Sequence, residues 1–293
     1  MDMVVLANNL AHPEGPARIA DGSTVFVETY RERVSAWHPA RGVTVYSNCG
    51  GAPNACATGR DGVYITQMGS GTGAMRSSAP TIPGIQKIDP NGRVTHVVTQ
   101  IENRALVAPN DLCFGRSGRL YFTDPDEFDP NAPRDGYIFG LEPDGKCCLA
   151  LNVGPVFPNG IICLADESIV WVESYTRAVR RREQDGAIHH IATVPEGHMP
   201  DGFKADTSGR LYITTIMSGG IDVVDLRGGE PEFIRTGGRP LNCLFAGTDL
   251  IVADDGEPAA PTQDAAAPGR LLKVSVGRSS LPLSMGSIAA PVD

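Results

Sequence analysis

One phrase recurs six times along the chain, and it limits the fold more than any other feature. Each copy opens with a proline, runs into a short apolar strand, turns on Gly or Asp, and returns as a second apolar strand. The copies are HPEGPARIADGSTVFVETY from His12, APNACATGRDGVYITQM from Ala52, APNDLCFGRSGRLYFTD from Ala108, FPNGIICLADESIVWVESY from Phe157, MPDGFKADTSGRLYITTI from Met199 and RPLNCLFAGTDLIVADDG from Arg239. Their prolines are Pro13, Pro53, Pro109, Pro158, Pro200 and Pro240, spaced by 40, 56, 49, 42 and 40 residues. A period of this size holds about four strands, the content of one propeller blade of roughly 40 to 50 residues.

The sequence between the copies supports the same count. VSAWHP, GIQKIDPNGRVTHVV, GYIFGLEPDGKCCLAL, AVRRREQDGAIHHIA and GIDVVDLRGGEPEFI each read as a hairpin or part of one, with Asp-Pro-Asn-Gly, Pro-Asp-Gly and Gln-Asp-Gly at turns. No helical period is sustained for three turns, and 34 Gly and 23 Pro in 293 residues favour many short strands. The expectation is an all-β, six-bladed β-propeller, a single domain over residues 1–293. Met3–Asn8 and Gly269–Val276 should lie side by side in one blade and close the ring, which removes the exposed edges of an open array. The segment after Arg278 is expected to be poorly ordered. Two stretches low in large apolar residues, 67–84 and 257–268, read as loops: either exposed slack or, for the first above all, a lid over the mouth of the ring.

A net charge of −9 repels phosphate backbones and anionic lipid, so neither nucleic acid nor membrane is an expected partner. No run approaches the roughly 20 apolar residues of a membrane span, and the N-terminus has no signal-peptide pattern. A cytoplasmic location is expected, with a small-molecule substrate as partner and the oligomeric state left open. The cysteines, odd in number and without a CxxC pair, read as buried free thiols.

The repeats also carry chemistry. The residue after each proline is Glu14, Asn54, Asn110, Asn159, Asp201 and Leu241, and five of the six have a side-chain oxygen acceptor. In a propeller the innermost strands line a central channel, so residues at one phase of the repeat form a ring around the axis. Carboxylate and amide oxygens suit a hard cation. Calcium fits this set best, and Zn2+, Mn2+ or Mg2+ could also be held. Pro-Asn-Gly and Pro-Asp-Gly are ordinary turn sequences when met singly. Recurrence at one phase, and a Glu at a position with no turn reason for it, favour a site.

HPEGP, APND with LYFTDP, FPNG and MPDG resemble the motifs of the gluconolactonase, regucalcin and senescence-marker-protein family, over about residues 10 to 255. The resemblance implies a six-bladed propeller with one divalent cation in its channel, held by Glu14, Asn110, Asn159 and Asp201, and hydrolysis of a sugar lactone or related cyclic ester. It gives Asp201 the role of general base, with a nucleophilic role as the competing version. Asn54, Gln67 and Asp124 are candidates for substrate binding, and His12 and His198 for a proton shuttle. Family members like regucalcin have an arginine two residues before the third-repeat Asn, where this chain has Ala108; the difference points to a less polar or differently shaped substrate. Three alternatives stand beside the lactonase: a phosphotriesterase-like hydrolase, a metal-assisted cyclase or isomerase, and a non-catalytic calcium-binding propeller.

Overall fold

The computed structural model describes residues 2–73, 75–256 and 268–289. Six four-stranded antiparallel sheets stand around an axis as six blades. Their innermost strands are Pro13–Arg18, Pro53–Thr58, Leu112–Phe114, Pro158–Cys163, Pro200–Ala205 and Pro240–Ala246, in blades 1 to 6. Each abuts the inner strands of the blades before and after it, and blade 6 abuts blade 1, so the ring is complete.

The ring closes as the sequence predicts. Met3–Leu10 pairs antiparallel with Gly269–Ser275, Met3 opposite Val274 and Leu10 opposite Gly269, forming the outer edge of blade 6. The hairpin turns also form where the Asp-Gly signals stand. The side chains of Asp89, Asp144 and Asp185 each accept a backbone N–H two residues on. Gly92, Gly145 and Gly186 then take positive φ at 81°, 85° and 94°, which costs a glycine little.

Burial follows position in the blade. Second strands such as Val63–Gln67, Leu120–Asp124 and Ile169–Glu173 are buried along their whole length, and accordingly read as continuous apolar runs. Outer strands such as Cys147–Gly154 are exposed at every other residue. The apolar core lies between the blades rather than on the axis. Val25, Val27, Cys56 and Ile65 fill the junction of blades 1 and 2; Tyr64, Ile85, Phe114 and Phe122 that of 2 and 3; Ile138, Ile161 and Trp171 that of 3 and 4. Val172, Phe203 and Ile213 continue between blades 4 and 5, Tyr212, Cys243 and Leu272 between 5 and 6, and Leu10, Phe26, Ile251 and Leu271 across the closing junction.

Residues 279–289 form no named strand, yet they cross the lower end of the channel. Thr207 N donates to Ser279 O, Leu281 N to Ala205 O, Arg60 N to Gly286 O, and Ala289 N to Pro143 O. Ile288 is buried against blades 2 and 3, and its N–H donates to the Tyr64 hydroxyl at 2.8 Å. Isolated apolar anchors, not periodicity, hold this segment, so no sequence pattern announces it. It roofs a cavity of about 320 Å³ lined by Cys56, Cys113, Cys163, Leu112, Ile161 and Lys204.

The insert of blade 2 is tied down at the opposite end. It forms a two-strand hairpin, Gly71–Thr72 with Met75–Arg76. Glu32 of blade 1 accepts from Ser78 N and Ser78 Oγ through Oε1, and from Ala79 N through Oε2. The second loop read from the sequence falls, except for Pro268, outside the described residues. Among the described residues, no helix is long and apolar enough to cross a membrane.

Candidate functional site

The residue after each repeat proline sits at the upper mouth of the channel. Glu14, Asn54, Asn110, Asn159, Asp201 and Leu241 all line one cavity of about 820 Å³. The five polar members are each at most 8% exposed. Side chains separated by up to 187 positions in the sequence are therefore gathered on one axis by the repeat alone.

A second regularity fixes their backbones. Near the end of the second strand in most blades stands a Ser or Thr whose hydroxyl reaches into the next blade. Thr66 Oγ1 donates to Asn110 O at 2.6 Å, Thr123 Oγ1 to Asn159 O at 2.8 Å and Thr214 Oγ1 to Leu241 O at 2.7 Å. Thr29 and Ser174 donate in the same way to Pro53 O and Pro200 O. Blades 1 to 5 thus each hold the backbone at, or just before, the ring residue of the next blade. Its sequence signal is the recurring ETY, ITQ, FTD, ESY and ITT.

Gln67 and Asp124 do not reach the cavity. The register sets Gln67 opposite Pro53, at the place held by Glu28, Glu173 and Asp254 in other blades. Gln67 Oε1 accepts from Ala52 N and Gly69 N, and Nε2 donates to Gly50 O. Asp124, fully buried, accepts from Val107 N and Ala108 N. Both side chains hydrogen-bond loop backbone. Asn54 does line the cavity, while its Nδ2 donates to Asn110 O at 3.1 Å. The histidines separate too. His198 lies away from the mouth, 2.7 Å from Asp222 Oδ2 and against Phe233. His12 lines the mouth, stacked on Tyr30 with centroids 4.7 Å apart. Its Nδ1 is 3.2 Å from Asp255 Oδ1 but off the line a hydrogen bond needs.

The position one step further into the channel was not singled out from the sequence. It reads Gly15, Ala55, Asp111, Gly160, Gly202 and Asn242. The small residues are required, because the inner strands crowd here. A Cβ on Gly15, which has φ of 49°, would lie 2.1 Å from the Ala55 Cα, and one on Gly202 would lie 2.0 Å from the Asn242 side chain. The two larger residues come from opposite blades, 3 and 6. Asn242 Nδ2 donates to Glu14 Oε2 at 3.2 Å, and its Oδ1 accepts from Cys243 N. Asp111 accepts from Leu112 N at 2.7 Å.

Three carboxyl groups are therefore confined together. Burial pushes Glu14 well above the usual carboxylate range, and the Asp201 and Asp111 charges push it further. Burial and then Asp111 do the same to Asp201, against a pull downward from the Asn159 side chain. Asp111 is raised by burial, while Lys204 and its hydrogen bonds draw it back. Asn110 Oδ1 is buried and has no hydrogen-bond partner among the described residues. Two carboxylates that repel each other and an amide oxygen lacking a donor are what a hard cation would satisfy, so the residues fit such an ion. Among the described residues no three His, Cys, Asp or Glu side chains gather as a metal-binding cluster; half of this set is amide.

Fold and mouth together define a closed six-bladed propeller with an acidic, oxygen-lined cavity at one end of its channel. The chain belongs to the SMP-30/Gluconolactonase/LRE-like family, whose model matches residues 12–252. A gluconolactonase of Zymomonas mobilis is 27% identical over 286 residues, covering 82% of this chain and 75% of that protein. Among solved structures, a luciferin-regenerating enzyme superposes with a TM-score of 0.78 at 15% identity, covering 98% of this chain and 99% of the other. Regucalcin from Agrobacterium tumefaciens, a calcium-binding protein, gives 0.76 at 19% identity with 96% of each chain covered. At these identities the superpositions speak for the fold.

Proposed function

We propose that the protein is a cation-dependent hydrolase that opens a lactone. Glu14, Asn110, Asn159 and Asp201 would hold one divalent cation, calcium by the chemistry of the set. When bound, that ion would supply positive charge against the substrate's carbonyl oxygen. Asp201 serves as general base: it takes a proton from water as the water oxygen bonds to the carbonyl carbon. The ring C–O bond then breaks, the proton passes from Asp201 to the departing ring oxygen, and a hydroxy acid leaves. Asn242 keeps the Glu14 carboxylate in place from below, and Asn54 offers its amide at the cavity wall.

The observation that carries this reading is the convergence on one cavity of Glu14, Asp201 and an Asn110 Oδ1 that has no hydrogen-bond partner among the described residues. Family membership and the Zymomonas gluconolactonase support a lactone as the substrate class. The same residues would also serve a calcium-binding propeller without catalysis, a reading favoured by the likeness to regucalcin. A panel of lactones and phosphotriesters, run with calcium and with chelator, separates the readings. Lactone turnover that chelator abolishes is expected. Turnover of phosphotriesters alone would move the protein to that chemistry, and calcium binding without any turnover would make it a binding protein.

A further inference from the structure

The wall of the upper cavity is divided. Above the ring residues, the lining along blades 3 to 5 is mainly apolar, with Phe128, Phe157, Met199, Ile216 and Met217 beside Asp126, Glu127 and Ser174. Along blades 6, 1 and 2 it is mainly polar, with Arg239, Asp255, His12, Ser70, Thr72 and Arg76 beside Met68 and Pro83. The apolar side includes two large side chains left in water at the rim, Phe128 at 51% exposed and Met217 at 68%. Exposed apolar surface continuous with a cavity marks a place where something apolar docks.

Phe128 is held rather than loosely displayed. Its ring meets Phe157 edge-on at 5.1 Å and leans on Tyr175 at 5.5 Å. The Tyr175 hydroxyl accepts from Asp129 N at 2.9 Å, which anchors the loop carrying Phe128. Phe157 takes φ of 53°, rare for an aromatic residue, and thereby faces the cavity. Methionines complete the wall with side chains that adapt to varied apolar shapes.

The charges near the mouth are largely engaged with one another, and the free one disfavours an anionic guest. Arg239 is paired with Asp255. Arg76 donates to Gly73 O and Met75 O of its own loop. Asp126 is paired with Arg134. Glu127, exposed beside Phe128, would repel an anion. The cavity, at about 820 Å³, falls high in the roughly 300–1,000 Å³ range of small-molecule sites, so it has room for more than a single ring.

We infer that the substrate is a lactone bearing an uncharged alkyl or aryl arm, its ring at the Glu14–Asp201 floor and its arm along the Phe128–Met217 wall; this rests on the lactone-hydrolase reading above. Phe128 and Met217 are then specificity-determining residues. The test is a series of δ-lactones substituted from methyl to hexyl beside the ring oxygen, with glucono-δ-lactone as the polar reference. The efficiency kcat/KM should rise about two- to fourfold per methylene that reaches the wall, chiefly through KM. Phe128→Ser and Met217→Ser should each flatten that rise. A flat series, or glucono-δ-lactone turned over more efficiently than the hexyl lactone, overturns the inference. If no lactone is hydrolysed, the hydrolase reading fails instead, and binding of the matching alkyl lactams, measured by calorimetry, decides the arm separately. Tightening with chain length upholds the apolar subsite; affinity indifferent to chain length refutes it.

Discussion

The two ends of the central channel are built from the same six strands and carry opposite chemistry. At the upper mouth five of the six residues that follow the repeat prolines are carboxylates or amides, and they line a wide cavity. Two and three residues further along, the chain presents Cys56, Cys113, Ile161 and their neighbours to a small cavity roofed by the 279–289 segment. Burial pushes the Cys163 thiol up to about 12 and Cys113 well above its usual value, so these thiols are packing groups and not nucleophiles. Between the ends, Asp111 and Asn242 project from opposite blades. A blade has only a few inner positions, and the repeat dedicates the first to chemistry and the later ones to closure. The two ends should accordingly fail independently.

The largest effect belongs to the mouth. Asp201→Asn should lower kcat by about 10²–10⁴-fold, the usual worth of a general base, while calorimetry still detects calcium; retained turnover would remove the base assignment. At the lower end, Ile288→Ala should cost about 2–4 kcal/mol in urea unfolding, as expected for a buried isoleucine. Its calcium affinity should stay within about twofold if the ends are uncoupled, and a larger change would break the comparison. Asn242→Ala removes the hydrogen bond that orients Glu14 and should weaken calcium binding by about tenfold, the low end for a residue supporting a ligand, again by calorimetry.

The smallest effect is one of pH. In chelator, Glu14 and Asp201 have folded values above their unfolded ones, because burial opposes ionisation of both, with the Asp201 and Asp111 charges adding to it at Glu14 and the Asp111 charge at Asp201. Lys204, Asn159 and Asn242 only partly offset this. Such groups contribute stability fully below the unfolded carboxylate range of about 4 and lose it as pH rises through the raised folded values. The melting temperature without calcium should therefore decline from mildly acid to neutral pH. The rise on adding calcium should grow over the same interval, since the ligands must shed protons. A calcium shift independent of pH would argue against these carboxylates as the ligands.

Much of this was legible in the sequence because the repeat makes phase equivalent to position. Knowing that Glu14 and Asp201 follow a repeat proline is enough to put both at one mouth, and strand-like runs near each terminus are enough to place the closure. Legibility ends where one polar residue can do two jobs. Gln67 and Asp124 look from sequence like residues at a mouth, but their side chains bind loop backbone, and only the register opposite the proline reveals it. Asp111 and Asn242 stand at the next letter of the same repeat, where three of the six copies have Gly. Residues 279–289 gave no signal at all, since Leu281 and Ile288 anchor them singly.

The junction of Met3–Leu10 with Gly269–Ser275 has a consequence for how the protein comes into being. Met3–Leu10 is synthesised long before Gly269–Ser275 and lacks its partner until that later strand is made. Blades 1 to 5 can condense during synthesis, but the sixth waits for Gly269–Ser275. Until then Leu10 and Phe26 lack the Ile251 and Leu271 side chains that will cover them, and the nascent chain carries an unpaired edge that other chains could capture.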